Sequence, residues 1–498
     1  MKKILSLILA LLMLSALFII SSCSDDSSGI ATETTTGNKN DDSVTEETEE
    51  TVIQSSLPAD LDFGGMEITM WYFTVNSDSS ERFLDLKGEL TGDIIDEVLY
   101  NRNLAVEEQL NIKINYYDQG VASSDVGTQL RKVILSDTTD YDLYSVIQWN
   151  SASLAIENLF LNIYGNKYLD LDKPWWATDY INELAVGNEQ LYLLCGDISL
   201  DMIRCISSIY FNKQIFENVF SDPNDMYNLV IDNKWTMDKI MEFGTAAYAD
   251  LDGDGTVNIG DRLGYYINQY NNIDPLVYGA GVKVTTRDSD NIPELTMNND
   301  HTMAFSEKLE KLCYGTTGAI CTSRENFLNV QEFINGNALF LYGFLYTSEN
   351  LREMENDYGI IPFPMFDESQ GSYKAVVHDI ATLMCLPQNC QIVDEVCAML
   401  EAMAYYSYYN VTPAYYETAL KTKYTRDAIS SQTIDIIHDN NMTDIAYVYG
   451  GSFNSLGYLF REMVSGNNFN FVSKYQGKEA AAITNMTKLI DQYMALDS

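Results

Sequence analysis

Twice along this chain an apolar segment of strand length leads into an amphipathic helix and then another strand, once from Met66 and again after Ser208. That alternation implies a parallel sheet covered by helices, because the chain must cross a sheet face to begin the next parallel strand. About 440 residues follow Leu57, more than one core usually organises, so two α/β lobes are expected. Between the two starts lies Leu191 to Lys213, LYLLCGDISLDMIRCISSIYFNK, an apolar ribbon interrupted by Asp197, Asp201 and Arg204. Burying an uncompensated charge is costly. The ribbon is therefore expected to pass along a cleft where these side chains meet solvent or a polar ligand, the other reading being a structural Asp201–Arg204 ion pair.

In the first half, Met66 to Phe73, Asn111 to Tyr117 and Tyr141 to Ile147 read as strands. The helix opened by Gly92-Asp93 carries Ile95, Val98, Leu99, Val106 and Leu110 on one face, with Asp93 placed to cap its free amides. In the second half, helices are expected over Trp235 to Tyr248, Thr302 to Tyr314 and Phe327 to Asn335, and strands over Ala338 to Leu345, Tyr358 to Phe363 and Val376 to Leu386. The Val393, Val396, Cys397, Leu400, Met403 and Ala404 face marks another helix, and Lys478 to Met494 a last one.

The chain begins with two lysines, an apolar stretch from Ile4 to Ile20 and Ser21-Ser22-Cys23. Residues 1–22 read as a signal peptide. Ile20-Ser21-Ser22-Cys23 resembles a bacterial lipobox, which would make Cys23 the acylated N-terminus of the mature protein. Residues 23–57 are rich in Ser, Thr, Asp and Glu without apolar periodicity, as befits an acidic disordered tether. A formal charge of -42 argues against nucleic acid or anionic lipid as a partner of the folded surface, so membrane attachment must come from the lipid. Cys195, Cys205, Cys313, Cys321, Cys385, Cys390 and Cys397 match no zinc spacing, with Cys195–Cys205 and Cys313–Cys321 the local disulfide options. His301, His378 and His438 form no HExxH pair, and there is no GxSxG elbow.

One motif points to a metal. Asp250, Asp252 and Asp254 occupy positions one, three and five of a loop, Gly255 the sharp turn at six, Thr256 a carbonyl at seven, and Asn258 and Asp261 later positions. Oxygen ligands at that spacing predict a structural calcium site of the EF-hand or dockerin kind, although Asp261 stands where an EF-hand usually has a bidentate Glu. No organic cofactor is expected. Aromatic residues are abundant, and sugar rings stack their C–H faces on such planes. Trp149 ends the third strand, where open α/β sheets bind ligands, and Trp175 and Trp176 follow a proline in a loop.

Segments across the whole chain resemble the extracellular solute-binding lipoproteins of bacterial ABC importers, of the carbohydrate-binding, maltose-binding-protein-like type. They are LDFGGMEITMW (Leu61 to Trp71), GDIIDEVLYNRNLAVEEQLNIKI (Gly92 to Ile114), ISSIYFNKQIFE (Ile206 to Glu217), WTMDKIMEFG (Trp235 to Gly244), FINGNALF (Phe333 to Phe340), DYGIIPFPMFDESQGSY (Asp357 to Tyr373) and PAYYETALKTKYTRDAISSQTIDII (Pro413 to Ile437). The resemblance implies a two-lobed periplasmic-binding-protein-like α/β fold with the ligand held between the lobes. Crossings fall within Ile203 to Ser208 and near Val376 to Asp379. Lobe 1 would comprise residues 58–205 and 378–420, and lobe 2 residues 206–377 and 421–498.

Tyr342 and Phe344 occupy a region that supplies a stacking aromatic in maltose-binding-like relatives, although Leu341-Tyr342-Gly343-Phe344 replaces their Gly-Pro-Trp pattern. Asp197, Asp201, Arg204, His378 and Asp379 are the expected polar contacts. Such a protein binds a sugar or oligosaccharide without chemistry, as a monomer anchored by lipid on the extracellular face of the cytoplasmic membrane, and delivers it to the transmembrane subunits of a permease. The competing readings are a surface glycan-binding lipoprotein without a permease and a secreted carbohydrate-active enzyme.

Overall fold

A computed structural model describes residues 53–72, 86–118, 120, 123–136, 140–323, 328–352, 354–417 and 428–496. Cys23, the signal segment and all of the tether before residue 53 lie outside the described residues. Among the described residues no helix is long and apolar enough to cross a membrane.

The first sheet is built on β1 (Met66–Tyr72), which pairs in parallel with β2 (Ile112–Asp118) and β3 (Leu143–Ile147). The crossover from β1 to β2 contains the helix Ile94–Leu110, whose Leu99, Val106 and Leu110 are buried. The Asp93 carboxylate accepts from the Ile95 and Asp96 amides, and Asn111 ends the helix at a φ of 49°, the left-handed conformation that asparagine tolerates at a helix C-terminus. Arg102 and Asn103 are buried in the same helix. The Arg102 guanidinium donates to the Ile198 carbonyl and the Ser407 hydroxyl, each at 3.0 Å, which satisfies an otherwise costly buried charge.

The second half contributes β4 (Ser207–Asn212), β5 (Leu263–Asn268), the hairpin β6 (Thr285–Arg287) and β7 (Pro293–Leu295), β8 (Ala319–Thr322), β9 (Ala338–Phe344) and β10 (Tyr358–Ile361). The last three strands are β11 (Ala375–Val376), β12 (Thr382–Cys385) and β13 (Asn441–Met442). One sheet runs β12-β3-β1-β2 and the other β10-β4-β9-β5-β8. Neither is wholly parallel as expected: β12 runs antiparallel to β3, and β4 antiparallel to β9 and β10. The cause is the connection between sheets. A strand arriving from the other lobe enters at the edge facing that lobe, where its parallel neighbours end, and must run the opposite way.

The expected strand Val376 to Leu386 is split into β11 and β12 by this passage. Ile206 bridges antiparallel to Val377, and the His378 amide donates to the Cys205 carbonyl at 2.9 Å, so the two crossings lie side by side. Ile147 pairs with Thr382 in the first sheet and Phe344 with Ser207 in the second. The carboxyl ends of the parallel strands in both sheets therefore converge on the crossings. The fold is α/β and two-lobed.

Candidate functional site

The chain leaves β3 through Gln148 and Trp149, and both backbone amides are held by the second crossing. Gln148 donates to the Ala381 carbonyl at 3.2 Å and Trp149 to the Asp379 carbonyl at 2.9 Å. This fixes the Trp149 backbone while leaving its side chain 43 % exposed. The other four tryptophans, Trp71, Trp175, Trp176 and Trp235, are buried.

At the end of β9 the Phe344 ring stacks on Tyr346 at 5.5 Å and meets the His378 ring edge-on at 4.7 Å. His378 Nδ1 lies 2.9 Å from the Asp379 carboxylate. Burial opposes ionisation of Asp379, but the neighbouring His378 and Arg461 hold its carboxyl below the usual range. Two stacked rings, an imidazole and a carboxylate thus meet where the lobes join, next to the backbone that carries the exposed Trp149 indole.

Four residues beside this cluster carry no motif. Arg461, from the helix Leu459–Ser465, makes a buried two-oxygen ion pair with Asp274 of the helix Ile273–Gly279. Its guanidinium lies over the rings of Tyr270 and Tyr458, 4.0 and 4.5 Å from their centroids. Burial pushes the Asp274 carboxyl up to about 6, against the pull of Arg461, and Asp379 and His378 act on it electrostatically. Ion pair and ring faces together compensate the buried Arg461 charge.

The ribbon charges are arranged differently from the simple cleft expectation. Asp201, 1 % exposed, accepts from Arg204 at 3.1 Å and from the Thr382 hydroxyl at 2.9 Å. Arg204 also donates to both oxygens of Glu349, at 2.9 and 2.8 Å, and Tyr415 donates to Glu349 at 3.1 Å. The alternative reading, a structural ion pair, describes Asp201 and Arg204, and the pair extends across the first crossing to the second lobe. Asp197 accepts from the Thr412 hydroxyl at 3.1 Å. Burial pushes its carboxyl up to about 6, with His438 opposing.

Tyr342 packs inside the second lobe between Tyr265 and Phe363, at 5.8 and 5.5 Å. Trp175 and Trp176 donate their indole N–H groups to the two oxygens of Glu401, at 3.1 and 2.8 Å. Both rings are buried, so these three aromatics build the lobes and do not join Trp149. A 400 Å³ cavity borders Trp176, lined also by Asp172, Lys173, Tyr180, Asp439 and Asn441. Tyr180 connects it to β3 by donating to the Gln148 side chain at 2.6 Å.

In the acidic loop, the Asp250, Asp252 and Asp254 carboxylates converge, with oxygen atoms within 4.8 Å of one another. Gly253 and Gly255 adopt φ values of 74° and 75°, as the tight turn requires. The Asn258 side chain lies against Asp252 and Asp254 at 3.1 and 3.0 Å, and the Thr256 carbonyl is 3.1 Å from the same amide. This oxygen-rich set fits a hard cation. Asp261 is buried instead, and accepts from Tyr248, Leu251 and Asn258 at 3.1, 3.0 and 3.2 Å. It secures the base of the loop.

The strand ends of both sheets face the paired crossings, with the exposed Trp149 and the polar His378–Asp379 turn at that junction. No protein-family model matches the chain, and no curated protein does. Solved structures do. The cyclic alpha-maltosyl-1,6-maltose binding protein from Arthrobacter globiformis superposes with a TM-score of 0.54 at 14 % identity, covering 86 % of this chain and 100 % of its own. A cyclo/maltodextrin-binding protein complexed with maltotetraose gives 0.54 at 10 % identity, covering 85 % and 97 %. An ABC transporter solute-binding protein from Thermotoga lettingae bound with alpha-D-tagatose gives 0.50 at 11 % identity, covering 86 % and 100 %. The chain shares the fold of these binding proteins.

Proposed function

We propose that the protein is a lipid-anchored receptor that captures a sugar or oligosaccharide between its lobes and presents it to an ABC permease. The observation that carries this reading is the exposed Trp149 side chain, tied through its backbone to the His378–Asp379 crossing, where His378 meets the Phe344–Tyr346 stack. An aromatic plane takes the C–H face of a pyranose, while a carboxylate and an imidazole take its hydroxyls. Acylation of Cys23 would hold the receptor at the extracellular face of the membrane.

Thermal unfolding across a sugar panel tests the assignment. At one hundred times its Kd, a sugar that binds only the folded state should add about 2.7 kcal/mol of stability. A rise in Tm with mono- or oligosaccharides and an intact ligand afterwards is expected; release of hydrolysis products would overturn it.

The acidic loop is proposed as a calcium site formed by Asp250, Asp252 and Asp254 with Thr256 and Asn258, secured by Asp261. Calcium there would cancel the repulsion of three close carboxylates and rigidify the connection between the helix Met237–Ala247 and β5. EGTA should lower Tm by a few degrees in the wild type and leave Asp252→Asn unchanged. A wild-type Tm indifferent to both calcium and EGTA would remove the site.

A further inference from the structure

His378 stands on the second crossing itself. Its amide donates to the Cys205 carbonyl of the first crossing at 2.9 Å and its carbonyl accepts from the Ala381 amide at 2.9 Å, so the backbone that carries the imidazole is tied on both sides. The ring is tied as well. The Ile380 amide donates to Nδ1 at 3.2 Å, and the ring meets Phe344 edge-on at 4.7 Å with the two planes 71° apart. A half-turn of the imidazole would put a C–H where Nδ1 accepts and would lose that bond. Nε2 has no hydrogen-bond partner among the described residues, and the side chain keeps 12 % of its surface exposed.

We propose that the Nε2–H of His378 is the hydrogen-bond donor that reads an oxygen of the bound sugar, and that the Ile380 amide is the positioning group that puts the proton there. The assignment rests on the sugar-receptor reading and gives the imidazole its part in it. A neutral imidazole carries one N–H and one acceptor nitrogen, and the bond made by one nitrogen decides which it is. Each ring nitrogen has a single bonding direction in the ring plane. An amide that donates along it leaves Nδ1 no room for a proton, so the proton resides on Nε2. The Asp379 carboxylate, 2.9 Å from Nδ1, therefore acts on the ring as a neighbouring charge and not as the acceptor of its proton.

An Nε2–H donates and cannot accept, so it selects a ligand position that bears oxygen over one that bears only hydrogen. A partly buried N–H without a partner is costly to leave unmade, which makes the ligand oxygen its natural complement. The donor also belongs to the crossing. A sugar oxygen bound there is held by the crossing whichever lobe the rest of the ligand touches.

Nitrogen-15 labelling of histidine tests this directly, because the chain has three histidines and the signals of His378 are those lost in His378→Gln. In the sugar-free protein at neutral pH, Nε2 should resonate as a protonated nitrogen and Nδ1 as an unprotonated one. His301, whose Nε2 lies 2.9 Å from the Ala280 carbonyl, supplies an internal reference. Glucose, galactose, maltose and maltotetraose are then titrated in turn. A sugar that binds by calorimetry should shift the His378 Nε2 signal, saturating over the same concentrations, and leave His301 unmoved. A glutamine side-chain nitrogen can reach the place of Nε2, whereas that of asparagine reaches only the place of Nδ1. His378→Gln should therefore stay within about threefold of wild-type affinity and His378→Asn should bind about tenfold more weakly, a split that lost packing alone would not produce. A protonated Nδ1 in the free protein, or calorimetric binding that leaves the Nε2 signal in place, would overturn the proposal and leave the receptor reading intact, as would equal losses in the two variants. Failure of all four sugars to bind would count against the sugar reading itself, and the assignment would fall with it.

Discussion

Trp149→Ala should weaken sugar binding about thirty-fold while shifting the unfolding midpoint only slightly. The affinity loss corresponds to about 2 kcal/mol, the scale expected for removing one aromatic stacking plane together with the area it buries. Stability should barely change because the indole is 43 % exposed and its backbone hydrogen bond to Asp379 survives the truncation. Surface substitutions of that kind usually stay within about 0.5 kcal/mol. Calorimetric titration with the sugar that most raises Tm supplies the first number and denaturant unfolding the second. A variant that loses stability but keeps its affinity would place Trp149 in the scaffold.

Arg204→Ala should have the opposite signature, a large stability loss of about 3–5 kcal/mol. The guanidinium is the shared partner of Asp201 and Glu349, whose side chains are 2 % and 18 % exposed. Its removal takes from both carboxylates their guanidinium partner, while Thr382 still donates to Asp201 and Tyr415 to Glu349. Much of the cost is the uncompensated burial of those charges, so Arg204→Lys should recover little, since an ammonium cannot match the two-point contact with Glu349. Urea unfolding measures it; a loss below about 1 kcal/mol would mean that water already solvates the network.

The scaffold was legible where one segment determines its own structure. The Asp93 cap, the apolar face of the helix Ile94–Leu110 and strands β1 to β3 follow from local pattern and the shape of the pleat. The antiparallel direction of β12 and β4 did not, because it depends on which lobe each strand comes from. Trp175 and Trp176 looked like a sugar platform because a proline-led loop gives no hint of burial; their partner Glu401 lies 226 and 225 residues further on. Asp274 and Arg461 were invisible for the same reason, 187 residues apart and each an ordinary charge in its own segment. Interrupted apolarity correctly marked Asp201 and Arg204 as needing compensation. It could not reveal that Glu349 and Thr382 provide it.

Trp149 offers a direct test of the central claim, that a sugar is held at the meeting of the lobes, because the other four tryptophans are buried. Acrylamide quenching of tryptophan emission should report chiefly on this side chain. Titration with a binding sugar should protect the quenchable component saturably, at the concentration where calorimetry shows binding, and Trp149→Phe should lack that component from the outset. Saturable binding by calorimetry with Trp149 as quenchable as before would place the sugar elsewhere and contradict the account.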